Sequence, residues 1–73
     1  MSASEPIEIA IRGDVIRLGQ LLKLAGLADS GAHARELVQE GEVLVNGEVD
    51  RRRGRQLHRG DIVEVGAQTV RVQ

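Results

Sequence analysis

Five arginines stand within nine positions of this 73-residue chain. They are Arg51, Arg52, Arg53, Arg55 and Arg59, with His58 among them and no carboxylate from 51 to 59. A guanidinium presents a planar fork of donors that matches a phosphate, and it stays charged at any physiological pH. The other five cations, Arg12, Arg17, Lys23, Arg35 and Arg71, are dispersed among eleven carboxylates, and the formal net charge is −1. The electropositive footprint is therefore local, and the chemistry it suits is the binding of a polyanion. The chain has no Phe, Tyr or Trp. Modules that read single strands stack bases on aromatic platforms. A structured nucleic acid, gripped through its backbone and shape, is what remains.

Other chemistries find little support. Without Cys there is no disulfide, thiolate metal site or cysteine nucleophile. His33 and His58 lack ligand spacing, so no metal or other cofactor is expected. There is no Ser-His-Asp pattern and no phosphate-cradling Gly-Lys-Ser/Thr loop, and Asp61 reads as turn chemistry rather than a general base. The chain is not expected to be an enzyme. No apolar run approaches the ~20 residues of a membrane span, and no signal peptide is legible at the N-terminus, which points to the cytoplasm and away from membranes.

The elements that must position the arginines follow from periodicity. Met1–Ser4 reads as a disordered leader and residues 5–73 as one domain, whose size limits burial to ~60% of the unfolded surface. Ile7, Ile9 and Ile11 alternate with Glu8, Ala10 and Arg12, the pattern of a strand with one buried face. Its expected neighbour is the last alternating strand around Val70 and Val72, which would bring both chain ends into one sheet. Leu18, Leu21, Leu22 and Ala25 form the stripe of a short helix, with Gly26 placed as its C-cap glycine. Ser30 is an N-cap for a second helix running to about Glu40, with Ala34, Leu37 and Val38 facing the core. Val43 and Val45 lead into Asn46-Gly47, a strong hairpin signal, and Val49 begins the return strand that runs into the arginine segment. Leu57 returns to the core, Arg59-Gly60-Asp61 turns the chain into Ile62, Val63 and Val65, and Gly66-Ala67-Gln68 turns it again. The fold class is α+β, two short packed helices against a small, mostly antiparallel sheet.

In this order of elements the run Arg17-Leu18, Leu21-Leu22, Gly26-Leu27-Ala28, Ser30, Ala34, Gly41, Val43, Val45-Asn46-Gly47 and Gly60-Asp61 with Val63 resembles the S4-type RNA-binding domain. The resemblance covers about residues 15–65 and is nearest to small stand-alone bacterial members. It implies the S4-like, αL-type fold. It also implies RNA binding along the helix pair and the basic loop, which here carry Lys23, Ser30, His33, Arg35, Arg51, Arg52, Arg53 and Arg55. Two positions depart from the pattern: Gly19 stands where many members have an acid, and Gly31 where many have an Arg. The second removes an expected phosphate contact and leaves more of the binding to the arginine loop.

Each feature also has an ordinary reading. A charge run is often a solvated loop. Against this, five arginines without a lysine exceed the needs of solubility, and Arg59 is counted with the loop. If the segment stays extended, Arg51, Arg53 and Arg55 share one face and Arg52 points away. That face should join Arg35 on the carboxylate-free flank of the second helix, since the return strand carries the loop towards it. Ser30 is first an N-cap, though amides at a helix start also suit a phosphate. His33 is a surface residue near Glu36, and Lys23 points away from the core stripe. The partner expected of a monomer is structured RNA, ribosomal or transfer RNA. The alternative is a protein-interaction domain docking its arginine loop on an acidic partner. Duplex DNA is less suited, because the second helix lacks base-reading Arg, Asn and Gln at its start.

Overall fold

The computed structural model describes residues 6–73, so the leader expected over Met1–Ser4 lies outside the described residues. In chain order the elements are β1 (Ile7–Ile9), β2 (Ile16–Arg17), α1 (Leu18–Leu24), α2 (Gly31–Gln39), β3 (Val43–Val45), β4 (Glu48–Val49), β5 (Gln56–Leu57), β6 (Ile62–Val65) and β7 (Gln68–Val72). Five strands form one sheet in the order β1-β7-β6-β3-β4, and β2 and β5 form a separate two-stranded ladder. Every pairing is antiparallel except that of β1 with β7. This is the expected α+β architecture, with the first and last described strands, β1 and β7, paired in one sheet.

The apolar stripes meet in a single core. Leu18, Leu21 and Leu22 of α1 and Ala34 and Val38 of α2 are wholly buried, together with Val43, Leu57, Val63 and Val70. Burying one such aliphatic side chain contributes about 1.5–3 kcal/mol, so this cluster is the main source of stability. The Ile7, Ile9 and Ile11 face is only partly covered. Ile9 and Ile11 pack against the core, whereas Ile7 remains 37% exposed. The reason is position: β1 is the edge strand, and alternation alone does not distinguish an edge from the centre.

Local chemistry closes both helices. Ser30 Oγ accepts the N–H of His33 at 3.1 Å, and this sets the start of α2. At the far end of α1 the N–H groups of Gly26 and Leu27 return to the carbonyls of Lys23 and Leu22, a Schellman motif. The β3–β4 turn places Asn46 at φ 52° and Gly47 at φ 89°, which a type I′ turn requires at both positions. Asn46 does more than turn. Its side chain donates to Asp61 Oδ1 (3.1 Å) and accepts the N–H of Ile62 (2.9 Å), tying the hairpin tip to the start of β6.

Candidate nucleic-acid interface

The arginine segment is a turn rather than an extended strand, and its organiser is a carboxylate. Asp50, immediately before the run, is only 6% exposed. Its Oδ1 accepts the Arg52 backbone N–H at 2.9 Å and Arg52 Nε at 3.1 Å. Its Oδ2 accepts Arg52 Nη2 at 2.9 Å and Arg55 Nη1 at 2.7 Å. The Arg52 fork holds this carboxyl far below the ordinary carboxylate range, burial works against it, and Arg55 reinforces the lowering. Between the two clamped residues the Arg55 N–H closes on the Arg52 carbonyl at 3.0 Å, so Arg53 and Gly54 occupy the tip of a tight turn.

That turn is seated on the start of α1. The N–H groups of Leu18 and Gly19, which have no partner within the helix, donate to the carbonyls of Arg55 (2.8 Å) and Arg53 (3.0 Å). The β2–β5 ladder, pairing Ile16 with Leu57 and Arg17 with Gln56, continues the attachment. Gly19 is needed for the close approach. A Cβ there would lie 2.9 Å from Arg53 Cγ, so the absence of a side chain lets the Arg53 stem cross the helix start.

A shallow groove of about 280 Å³ results. Arg17, Gln20 and Lys23 line it from the first helix and the strand before it, Gly31 and Ala34 from α2, and Arg53 and Gly54 from the turn. Both positions that depart from the family pattern, Gly19 and Gly31, lie in it. Arg17, Lys23 and Arg53 make no ion pair with any carboxylate among the described residues. Three cations on a floor with three glycines leave space and donors for a phosphate to approach closely.

The residues singled out by the sequence are therefore divided. Lys23 and Arg53 come together in the groove, Ser30 caps α2 immediately before Gly31, and Arg35 stands one turn beyond Gly31 on the same helix, outside the groove lining. The shared face of Arg51, Arg53 and Arg55 does not form, because the turn sends them apart. Arg55 joins Arg52 on Asp50. Arg51 lies against the end of α2, where a Cβ on Gly41 would come within 2.6 Å of its guanidinium, a favourable place for a cation at the helix C-terminus. The loop is carried to the start of α1, with α2 forming the opposite wall. His33 is partnered by Asp29 rather than Glu36, its Nδ1 accepting the Asp29 N–H at 3.1 Å. Arg59 is placed elsewhere altogether, donating to the Ile11 carbonyl at 3.2 Å and pairing with Asp14 at 3.5 Å.

A family model for the S4 domain matches residues 9–73. The chain belongs to the S4 domain family. Among relatives of this S4 domain, a protein of Bacillus subtilis (strain 168) named as a probable ribosome maturation protein, RlbA, is 53% identical over 57 residues, covering 78% of this chain and 80% of that one. YbcJ of Escherichia coli (strain K12) is 37% identical over 57 residues, covering 78% and 81% respectively. The solution structure of E. coli YbcJ, described as revealing an αL motif involved in RNA-binding, superposes with a TM-score of 0.71 at 31% identity. That match covers 99% of this chain and 92% of YbcJ.

Two groove-lining residues, Arg17 and Gln20, and the carboxylate behind the turn, Asp50, are not among the binding residues the sequence names. Arg17 and Gln20 flank the first-helix stripe, and Gln20 Oε1 reaches back to the Arg17 N–H at 3.4 Å. The signal for Asp50 was its position, a carboxylate two and five residues before arginines. Among the described residues no group of His, Cys, Asp or Glu is placed to hold a metal, and no helix is long and apolar enough to cross a membrane.

Proposed function

We propose that this RNA-binding S4 module takes structured RNA, ribosomal or transfer RNA, across the groove between α1, α2 and the arginine turn, through contacts to phosphate. The observation that carries the reading is the convergence of Arg17, Lys23 and Arg53, from three separate elements, on one glycine-floored groove with no carboxylate in its lining among the described residues. Arg35, on α2 outside the groove lining, and Arg51, against the end of α2, are further cations on the same domain. The chain acts by binding rather than by catalysis, as a monomer, in the cytoplasm. The name of the B. subtilis relative supports a ribosomal RNA over a transfer RNA. Backbone recognition suits a chain without Phe, Tyr or Trp, the usual platforms on which bases stack.

Salt titration against defined RNA hairpins tests this. Three groove cations on phosphates should give a slope of log affinity against log salt near −2.7, at about −0.9 per contact. Arg53→Ala should weaken binding by ~1 kcal/mol or more and reduce that slope by about one unit. Arg53→Lys should restore only part of the loss if the guanidinium fork is used. Weak, salt-insensitive binding to ribosomal and transfer RNA hairpins alike would overturn the reading and favour a protein partner for the arginine loop.

A further inference from the structure

We infer that Asp50 is the positioning residue of the RNA interface: by clamping Arg52 and Arg55, the first and last residues of the turn, it presents Arg53 to the groove. The inference rests on the groove being where RNA binds. It starts from a paradox of charge. A loop selected only for attraction to phosphate gains nothing from a carboxylate buried beneath it, and Asp50 engages two of the five arginines. What the carboxylate supplies is geometry. One oxygen accepts both a backbone N–H and the Nε of Arg52, and the other joins Arg52 to Arg55. Both ends of a four-residue turn are thereby pinned to one buried point. The carbonyls of Arg53 and Arg55 are then aimed at the N–H groups of Gly19 and Leu18. With the backbone fixed on both sides, Arg53 has its stem laid over Gly19 and lines the groove. Arg52 is mostly exposed, so its role in the clamp is not one of filling the core.

Charge and geometry predict opposite signs for Asp50→Asn. If charge governs, removing an anion from the basic loop and freeing two arginines strengthens RNA binding. If Asp50 acts through Arg53, binding weakens although the protein has become more positive, and it weakens only while Arg53 is present. The test measures the affinity of the full chain for a labelled RNA hairpin that it binds, with D50N, R53A and D50N/R53A compared and each variant's melting temperature recorded. D50N should lose about fivefold or more, and D50N/R53A should be within about twofold of R53A alone, the signature of two residues acting as one unit. Unchanged or tighter binding by D50N overturns the inference, as does a D50N loss that adds in full to that of R53A. Should D50N not fold, R52K serves instead: it keeps the charge, removes the fork and alters an exposed side chain, and its loss should likewise vanish in the R53A background. An R53A variant that binds like the parent overturns the groove reading itself, and this arm is scored separately from the Asp50 arms.

Discussion

The two sides of this small domain carry similar numbers of cations and use them differently. On the groove side Arg17, Lys23 and Arg53 converge from separate elements without an ion-pair partner among the described residues. On the side of the terminal strands, Arg71 donates to Glu8 at 2.9 Å across the β1–β7 pairing, and Arg59 bridges the Ile11 carbonyl and Asp14. Charge count alone would rate the two sides alike. The placement of acids separates them: a cation beside a carboxylate is committed to the fold, and a cation facing a floor of glycine is available to a ligand.

The largest effect should come from emptying the groove. Arg17, Lys23 and Arg53 changed together to Ala should cost about 3 kcal/mol of RNA affinity, more than a hundredfold, and reduce the salt slope by nearly three units. Exposed substitutions usually alter stability by no more than ~0.5 kcal/mol each, so the melting temperature should move little. A filter-binding titration with a parallel thermal melt checks both. Equal losses after mutating Arg12, Arg59 and Arg71 together would erase the distinction between the two sides.

The converse experiment removes structure from the other side. Deleting residues 1–12 takes away β1, the packing of Ile9 and Ile11 and the Arg71–Glu8 pair. For a domain of this size each 1 kcal/mol lost lowers the melting temperature by roughly 4–8 °C, so a fall of several degrees is expected. RNA affinity measured well below the new midpoint should stay within about twofold of the parent, since no groove residue is removed. An unchanged melting point would show that β1 contributes nothing to the sheet.

How much of this was legible in the sequence depends on which interaction decides each feature. The helices, the hairpin turn and the core were readable because periodicity and local capping specify them: Leu18, Leu21, Leu22, Ser30 and Asn46-Gly47 all do what their patterns imply. The arginine segment is less legible, because its own residues do not decide between a turn and the extended course that would put Arg51, Arg53 and Arg55 on one face. Its actual course is set by Asp50 and by the two N–H groups at the start of α1, a partnership between segments more than thirty residues apart. Arg17 was passed over for the same reason. It becomes part of a site only when the turn is folded against it. Lys23 and Arg53 were named individually, but the groove that joins them is a tertiary object.

A smaller effect should follow from a single methyl group. Gly19→Ala adds a Cβ that would meet Arg53 Cγ at 2.9 Å, so the Arg53 stem must move away from the helix start. RNA affinity should fall by about 1 kcal/mol, comparable to losing Arg53 itself. Thermal stability should hold or rise, because Ala is favoured over Gly within a helix by up to ~1 kcal/mol. A calorimetric melt beside an RNA titration separates the two. If binding and stability fall together, the new methyl has disturbed the core rather than Arg53.

The smallest effect should be on the terminal side. Arg71 lies on β7 opposite Glu8 of β1, both partly exposed, and such surface pairs contribute about 0–1 kcal/mol. Arg71→Ala should therefore shift the melting temperature by no more than a few degrees, and more at low salt than at high, since an exposed pair is screened. Its RNA affinity and salt slope should match the parent, because its guanidinium is paired with a carboxylate and lies away from the groove. Arg59→Ala should behave similarly, with the loss confined to its contacts with Ile11 and Asp14. The salt slope is the sharper measurement of the two. A cation that contacts phosphate removes about one unit from it when replaced, and one that contacts only protein leaves it unchanged. A loss of one unit for Arg59→Ala would return that residue to the RNA-binding surface, where the sequence reading first counted it. The binding face would then extend from the groove around to the end of β1.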